Sequence, residues 1–136
     1  MGMRIGVSGR TSGVDRIVEQ AIQAEADGFA SIWYSGGGGG DAVNAAAFAG
    51  RATERIGVGT AVIATYPIHP YALAARAVAA VDAIGAGGRF TLGIGPSHQP
   101  AMEQMFGLSY ERPGQHTVEY LAALRAQISG EAIALE

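Results

Sequence analysis

The chain has 136 residues, of which 49% are hydrophobic and 15% charged, with a formal net charge of −3 and no cysteine. This composition is typical of one folded domain, and it excludes disulfides, cysteine metal sites and a basic surface for nucleic acid. No apolar run reaches the roughly 20 residues of a membrane span, and the N-terminus lacks the order of a signal peptide. We therefore expect a cytoplasmic protein without nucleic-acid or membrane partners.

The N-terminal region predicts a strand followed by an amphipathic helix. Residues 3–7 form a short β-branched run, which is typical of a strand. Apolar residues then recur at helical spacing from Val14 onwards, with Thr11 or Ser12 as the expected N-cap and Gly28 just past the end. A strand followed by a helix is the first half of a βαβ unit.

The same alternation continues along the chain. In order, the sequence predicts a strand at 29–34, a helix at 42–54 capped by Asp41, a strand at 55–64, a helix at 69–85, a strand at 88–95, and helices at 99–107 and 112–128. The third strand is apolar on both faces, as expected of a parallel strand covered by helices.

Four strand-plus-helix units allow two architectures. One is half of a TIM (β/α)8 barrel, and the other is a doubly wound sheet of four or five strands. A barrel needs about eight strands to fill its interior, so four units leave open edges that another chain must cover. We favour an α/β fold with a single (β/α)4 half-barrel domain over residues 1–136, parallel strands in the order 1-2-3-4, and completion by self-association as a homodimer or higher oligomer. Residues 131–136 are expected to be a disordered or appended tail.

Several loops at the predicted carboxyl ends of strands contain groups that can bind ligands. "SGRTSG" (8–13) faintly resembles a flavodoxin phosphate loop, although ordinary βα turns use the same residues. "GIGPSH" (93–98) lacks the third glycine of a dinucleotide fingerprint. His69, between two prolines, is a candidate general acid or a plain helix-terminal histidine, and no histidine spacing indicates a metal site.

The five glycines at 36–40 fit either a phosphate loop or a flexible connector. An unbroken run fixes no loop shape, so we predict a connector with several conformations between Ser35 and Asp41. Asp41 is expected to cap the helix that follows.

Three longer motifs, "TYPIHP" (65–70), "GGRFTLGIGPSH" (87–98) and "GLSYERP" (107–113), resemble the luciferase-like monooxygenase family. The likeness runs from Met3 to about Gly130 and is nearest to oxidoreductases dependent on the deazaflavin coenzyme F420. The resemblance implies a (β/α)8 barrel and hydride transfer between coenzyme F420, or alternatively FMN, and an organic substrate.

The resemblance also implies a set of site residues. It places a non-prolyl cis peptide bond at Ala61-Val62, behind the deazaflavin ring, and His69 at the mouth of the pocket as the candidate catalytic residue. The cofactor-binding residues that it implies are Thr60, Ala61, Val62, Thr65, Gly93, Gly95, Pro96 and Ser97.

Two features separate this chain from the family pattern and leave other functions open. Strands five to eight are absent from it, and glycines replace the polar or aromatic loop after the second strand. Besides a half-barrel that binds cofactor, the sequence therefore allows a non-catalytic structural or designed half-barrel subunit that folds and dimerises. A flavodoxin-like FMN carrier is a third hypothesis, which requires the first strand to lie in the centre of the sheet.

Overall fold

The computed structural model of the chain describes residues 2–37 and 39–130, so the predicted tail at 131–136 lies outside the described residues. The chain divides into two compact units. The first comprises residues 1–63 and 79–93, and the second comprises residues 64–78 and 94–136. Among the residues described, no helix combines the length and the apolar character needed to cross a membrane.

The first unit is a four-stranded parallel sheet with helices between successive strands. Its elements are β1 (Gly6–Ser8), α1 (Val14–Ala26), β2 (Ser31–Tyr34), α2 (Ala42–Ala52), β3 (Gly57–Thr60) and β5 (Phe90–Thr91). The strands lie in the order β1-β2-β3-β5, and each neighbouring pair is parallel. This continuous order confirms the predicted order of the four strands, and it rules out the flavodoxin-like alternative because β1 lies at an edge of the sheet.

The helices of the first unit bury small and branched apolar side chains. In α1, Ile17, Ala21 and Ala24 are buried at helical spacing, whereas Val14, the first residue of the predicted apolar stripe, and Ile22 are about half exposed. In α2 the buried positions are mostly alanine, and the Oδ1 atom of Asp41 accepts a hydrogen bond from Asn44 N (2.9 Å), which confirms the predicted N-cap. Because alanine side chains are small, α2 can pack close to the sheet.

The N-cap predicted for α1 was wrong. Gly13 occupies the N-cap position, with a positive φ of 78° and no side-chain capping bond, so neither Thr11 nor Ser12 caps the helix. A glycine reaches that backbone conformation at little cost, which places the helix start one or two residues later than a hydroxyl cap would.

The third and fourth predicted strands are each interrupted. β3 ends at Thr60 and the chain resumes as β4 (Ile63–Ala64); β5 ends at Thr91 and is followed by β6 (Ile94–Gly95). β4 and β6 form a separate two-stranded sheet. The peptide bond between Ala61 and Val62 in the first interruption is cis, as the family resemblance implied.

The second unit contains the remaining helices. α3 (Pro70–Ile84) begins in this unit, and a π-helical turn (Ala101–Met105) and α4 (Pro113–Ser129) follow β6. Residues 99–106 are helical, which confirms the short helix predicted at 99–107, and the π-helical turn forms its middle part. The core of the unit includes Leu73, Met102, Tyr120, Ala123 and Leu124, all of them buried.

Arg89 joins the end of α2 to β5 in the first unit. Its guanidinium donates to the carbonyl oxygens of Gly50 (2.8 Å), Thr53 (3.0 Å) and Ile56 (3.0 Å), and to the Thr53 hydroxyl (3.3 Å). The carbonyls at a helix C-terminus have no partner within the helix, so a planar cation with five donors is well matched to them.

Glu25, at the end of α1, binds the turn that leads into β3. Its carboxylate accepts hydrogen bonds from the backbone N–H groups of Glu54, Arg55 and Ile56, at 2.6–3.3 Å. Burial of the carboxylate alone would raise the pKa of Glu25. The three backbone donors, together with the Arg55 guanidinium 3.9 Å away, outweigh that effect and lower the pKa below its ordinary value.

We predict that Glu25→Gln destabilises the fold by about 2 kcal/mol near pH 7, because charge-assisted hydrogen bonds are replaced by weaker neutral ones. Since the pKa is lower in the folded chain, the contribution is complete above about pH 4.3, the pKa of an unperturbed glutamate, and is lost as the pH falls through the folded value. Urea unfolding of both proteins from pH 3 to pH 7 measures this. Glu19→Gln on the exposed face of α1 is the control, and equal pH profiles for the Glu25 variant and the parent chain would contradict the prediction.

Candidate functional site

Four of the predicted site residues lie in the first unit, where Thr60 and Gly93 bind each other reciprocally. Thr60 Oγ1 donates to the Gly93 carbonyl oxygen (2.9 Å) and accepts from Gly93 N (2.9 Å). Thr60 is only 1% exposed. A Cβ atom on Gly93 would clash with the Thr60 carbonyl oxygen, so no other residue fits there. The hydrogen bonds between Thr60 and Gly93 therefore hold the end of β3 against the segment that follows β5.

The Ala61-Val62 segment projects from the sheet directly after Thr60. Both residues are exposed, Val62 by 43%, whereas the last three strand residues before them, 58–60, are buried. The Val62 carbonyl oxygen accepts a hydrogen bond from Gly36 N (3.3 Å). The segment thus presents two apolar side chains at the carboxyl end of β3, where ligands of parallel α/β proteins bind.

The glycine run packs more closely than a simple connector. Gly37 and Gly40 form an antiparallel bridge, and a Cβ atom on Gly40 would clash with the Thr11 carbonyl oxygen. The run therefore contacts the loop after β1 as well as Val62, and Gly40 is required there for steric reasons. Gly38 lies outside the described residues, and the expectation of several conformations stays a prediction.

The other predicted site residues lie in the second unit, where Thr65 holds the loop after β6. Thr65 N and Oγ1 both donate to the Gly95 carbonyl oxygen, at 3.0 and 3.3 Å. Like Thr60, Thr65 is 1% exposed, so its side chain acts within the protein. Gly95, Pro96 and Ser97 are partly exposed. They are therefore the members of this set that a ligand can reach.

Ser97 has a backbone conformation that is unusual for a residue other than glycine. Its φ is 66°, in the left-handed region, which costs a non-glycine residue roughly 1–3 kcal/mol. The Tyr110 hydroxyl donates to the Ser97 carbonyl oxygen (2.9 Å) and holds the loop in this conformation. Such strain occurs preferentially at ligand-binding sites.

An aromatic cluster that the sequence did not predict lies beside this loop in the second unit. The Tyr66 and His116 rings stack with centroids 3.8 Å apart, and the Tyr110 and Tyr120 rings lie 4.9 Å from Tyr66 and 5.7 Å from His116 respectively. His116 Nε2 lies 2.9 Å from Thr65 Oγ1. Burial lowers the pKa of His116, opposed by Glu119, and therefore favours the neutral imidazole. The recurrence of Tyr110, His116 and Tyr120 within and after "GLSYERP" was the only sequence signal for this cluster.

His69, the candidate catalytic residue, lies at the N-terminus of α3. Its Nδ1 atom accepts a hydrogen bond from Tyr71 N (3.2 Å), and its carbonyl oxygen accepts from Leu73 N (3.1 Å). The side chain thus occupies an N-cap position. A ring that accepts at Nδ1 carries its proton on Nε2, and His69 is exposed, so this N–H is available to a ligand.

No group of three or more histidine or acidic side chains placed to hold a metal ion occurs within residues 2–37 and 39–130. Among the predicted site residues, the groups that a ligand can reach are a hydroxyl, an imidazole N–H, backbone groups beside glycine and exposed apolar side chains. These groups can bind and orient a ligand, and chemistry beyond proton transfer would have to come from a bound cofactor.

A profile of the luciferase-like monooxygenase family matches residues 2–136. The chain belongs to this family. Among curated luciferase-like relatives, the 5,10-methylenetetrahydromethanopterin reductase of Methanolobus tindarius is 30% identical over 122 residues, which cover 89% of this chain and 36% of that protein.

Two solved structures share the fold of this luciferase-like chain. The coenzyme F420-dependent tetrahydromethanopterin reductase of Methanopyrus kandleri matches 93% of it with a TM-score of 0.76 at 19% identity. The oxygenating constituent of 3,6-diketocamphane monooxygenase from Pseudomonas putida, in complex with FMN, matches 91% with a TM-score of 0.75 at 21% identity. The chain spans 40% and 39% of these two proteins and about a third of the curated relative. With its parallel strand order, this coverage makes the luciferase-like chain an α/β half-barrel, as the sequence predicted.

We predict that His69→Ala lowers the stability of the chain by about 1 kcal/mol, because the N-cap acceptor for Tyr71 N is lost. His69→Asn keeps an acceptor at the same position and should unfold within a few tenths of a kcal/mol of the parent chain. Urea unfolding of the three proteins checks this. Equal stability of the alanine variant and the parent chain would show that the cap contributes nothing.

Proposed function

We propose that this chain binds a flavin-type cofactor, coenzyme F420 or alternatively FMN, and takes part in hydride transfer between that cofactor and an organic substrate. Family membership supports an oxidoreductase, and the two solved relatives are an F420-dependent reductase and an FMN-bound monooxygenase. The observation that carries the proposal is the conformation of Ser97. A partly exposed serine is held at a positive φ, at the carboxyl end of a strand, by the side chain of another segment.

Residues of the second unit suit such a cofactor. The Ser97 hydroxyl can donate to the polar or phosphate-bearing side chain of the cofactor, and Gly95 leaves the backbone accessible. When bound, the cofactor would supply or accept the hydride, and the chain would orient it.

His69 is the residue that we propose for proton transfer. Its Nε2–H group is exposed and oriented by the hydrogen bond at Nδ1, so it can donate to a developing negative charge on a substrate. The His69→Asn variant separates this role from helix capping. It should retain cofactor binding and lose at least about tenfold in the rate of cofactor-dependent turnover, as expected for a general acid.

We predict that the purified chain binds F420 or FMN with a dissociation constant in the micromolar range, and that Ser97→Ala weakens binding about tenfold through loss of one hydrogen bond to a charged group. Titration followed by cofactor fluorescence measures both affinities. Ser109→Ala, which removes another exposed serine hydroxyl, is the control. Absence of binding up to high micromolar concentrations of both cofactors would overturn the proposal.

A second candidate function is that of a non-catalytic half-barrel subunit, and both candidates include self-association. The sheet of the first unit ends at β1 and β5, and one side of it carries a cavity of about 450 Å³. The strand residues that line it are Ser31, Trp33, Gly57, Val58 and Thr91. A second copy would supply four more strands, the number that a closed eight-stranded barrel requires.

We predict that the chain is dimeric or larger at micromolar concentration, which light scattering after size-exclusion chromatography measures directly. Trp33→Arg should shift it toward monomer, because a charge would be buried at the proposed contact. An exposed substitution on α1, Glu19→Arg, serves as the control. A folded monomer at all concentrations would contradict self-association, and a dimer that binds neither cofactor would favour the structural subunit.

A further inference from the structure

We propose that His116 is a positioning residue: acting through Thr65, it sets the conformation of the Gly95–Ser97 loop. His116 lies in α4, far along the sequence from the loop, and nothing in its spacing to other histidines indicated a function. The expected effect of His116 on cofactor affinity rests on the proposed function. The expected effect on the conformation of the loop does not, because it concerns the chain without ligand.

The geometry around Thr65 determines which group donates and which accepts in each of its hydrogen bonds. Thr65 has one hydroxyl proton, and two groups lie within hydrogen-bond distance of Oγ1. These are the Gly95 carbonyl oxygen at 3.3 Å and His116 Nε2 at 2.9 Å, and Nε2 can donate or accept depending on the tautomer. All contacts are satisfied when His116 donates from Nε2–H to Thr65 Oγ1 and the hydroxyl donates to Gly95. In the other tautomer, Thr65 would donate to the ring and the side-chain bond to Gly95 would be lost.

The cluster fixes the His116 ring in the required position. Tyr66 stacks on it at an interplanar angle of 15°, and the Tyr66 hydroxyl itself donates to the Glu111 carbonyl oxygen (2.9 Å). On another side Tyr120, whose hydroxyl donates to the Ile68 carbonyl oxygen (2.7 Å), lies against the imidazole. A ring confined by two anchored aromatic rings keeps Nε2 directed at Thr65.

The same cluster holds the other end of the loop. The Tyr110 ring packs against Tyr66, and its hydroxyl donates to the Ser97 carbonyl oxygen. Carbonyl groups at both ends of the loop, those of Gly95 and Ser97, are therefore bound by side chains that belong to or contact one cluster. His116 is the member that completes the connection to Gly95.

Two substitutions separate the hydrogen bond of His116 from its ring packing. His116→Gln retains an N–H donor at a position similar to Nε2 and loses the stacked ring, whereas His116→Phe retains a ring against Tyr66 and loses the donor. Amide nitrogen–proton NMR spectra of the chain without cofactor provide the readout. We expect the Gly95 and Ser97 resonances to move in the phenylalanine variant and to return toward their original positions in the glutamine variant.

Thr65→Val removes the hydroxyl that links His116 to Gly95 and keeps the backbone hydrogen bond from residue 65 to Gly95. It serves if the phenylalanine variant does not fold. It should displace the same two resonances. Unchanged Gly95 and Ser97 resonances in a folded His116→Phe or Thr65→Val variant, with folding shown by a cooperative unfolding transition, would overturn the proposal.

The second arm of the experiment measures affinity for F420 and FMN. We expect His116→Phe and Thr65→Val each to weaken binding about tenfold, and the double variant to be no weaker than either alone, because both break one connection. Additive losses would overturn the connection through Thr65. If the parent chain binds neither cofactor, the proposed function fails, while the NMR arm still decides the role of His116.

Discussion

The reciprocal hydrogen bonds between Thr60 and Gly93 are the constraint on which the carboxyl-terminal side of the first unit depends. The third and fourth strands both leave the regular ladder at this point, where Gly93 N donates to the Thr60 hydroxyl and the Gly93 carbonyl oxygen accepts from Ile63 N (2.9 Å) as well as from Thr60. A buried hydroxyl can donate and accept at once, so Thr60 binds both backbone groups of Gly93. With the strand ends held, the chain can turn the following residues, Ala61 and Val62, outward.

In the second unit, a buried threonine again binds the backbone of a glycine. Thr65 is as buried as Thr60 and also binds the carbonyl of a glycine in the neighbouring segment, Gly95. Here the hydroxyl has a further partner, His116, so the loop depends on a helix as well as on a strand. Buried threonines thus hold the backbone in both units, while the residues beside them are left accessible.

Much of the first unit could be predicted from the sequence, because its signals are local. The apolar period of α1 and the cap of α2 by Asp41 involve residues within a few positions of one another. The interruption of the strands, the packing of Gly40 on Thr11 and the contacts of His116 involve residues about 30 to 50 positions apart. Periodicity indicates which face of an element is buried, and it does not indicate which distant group a polar side chain will bind.

The predicted site residues illustrate the same limit at the level of function. The resemblance implied Thr60, Thr65 and Ser97 as cofactor-binding residues, yet their exposure and hydrogen bonds differ. The two threonines use their hydrogen-bonding capacity inside the protein, whereas Ser97 is partly exposed and has a strained backbone. A family likeness transfers positions in a fold. Which of those positions touches a ligand, and which only holds another residue in place, depends on burial and on the partner of each polar atom.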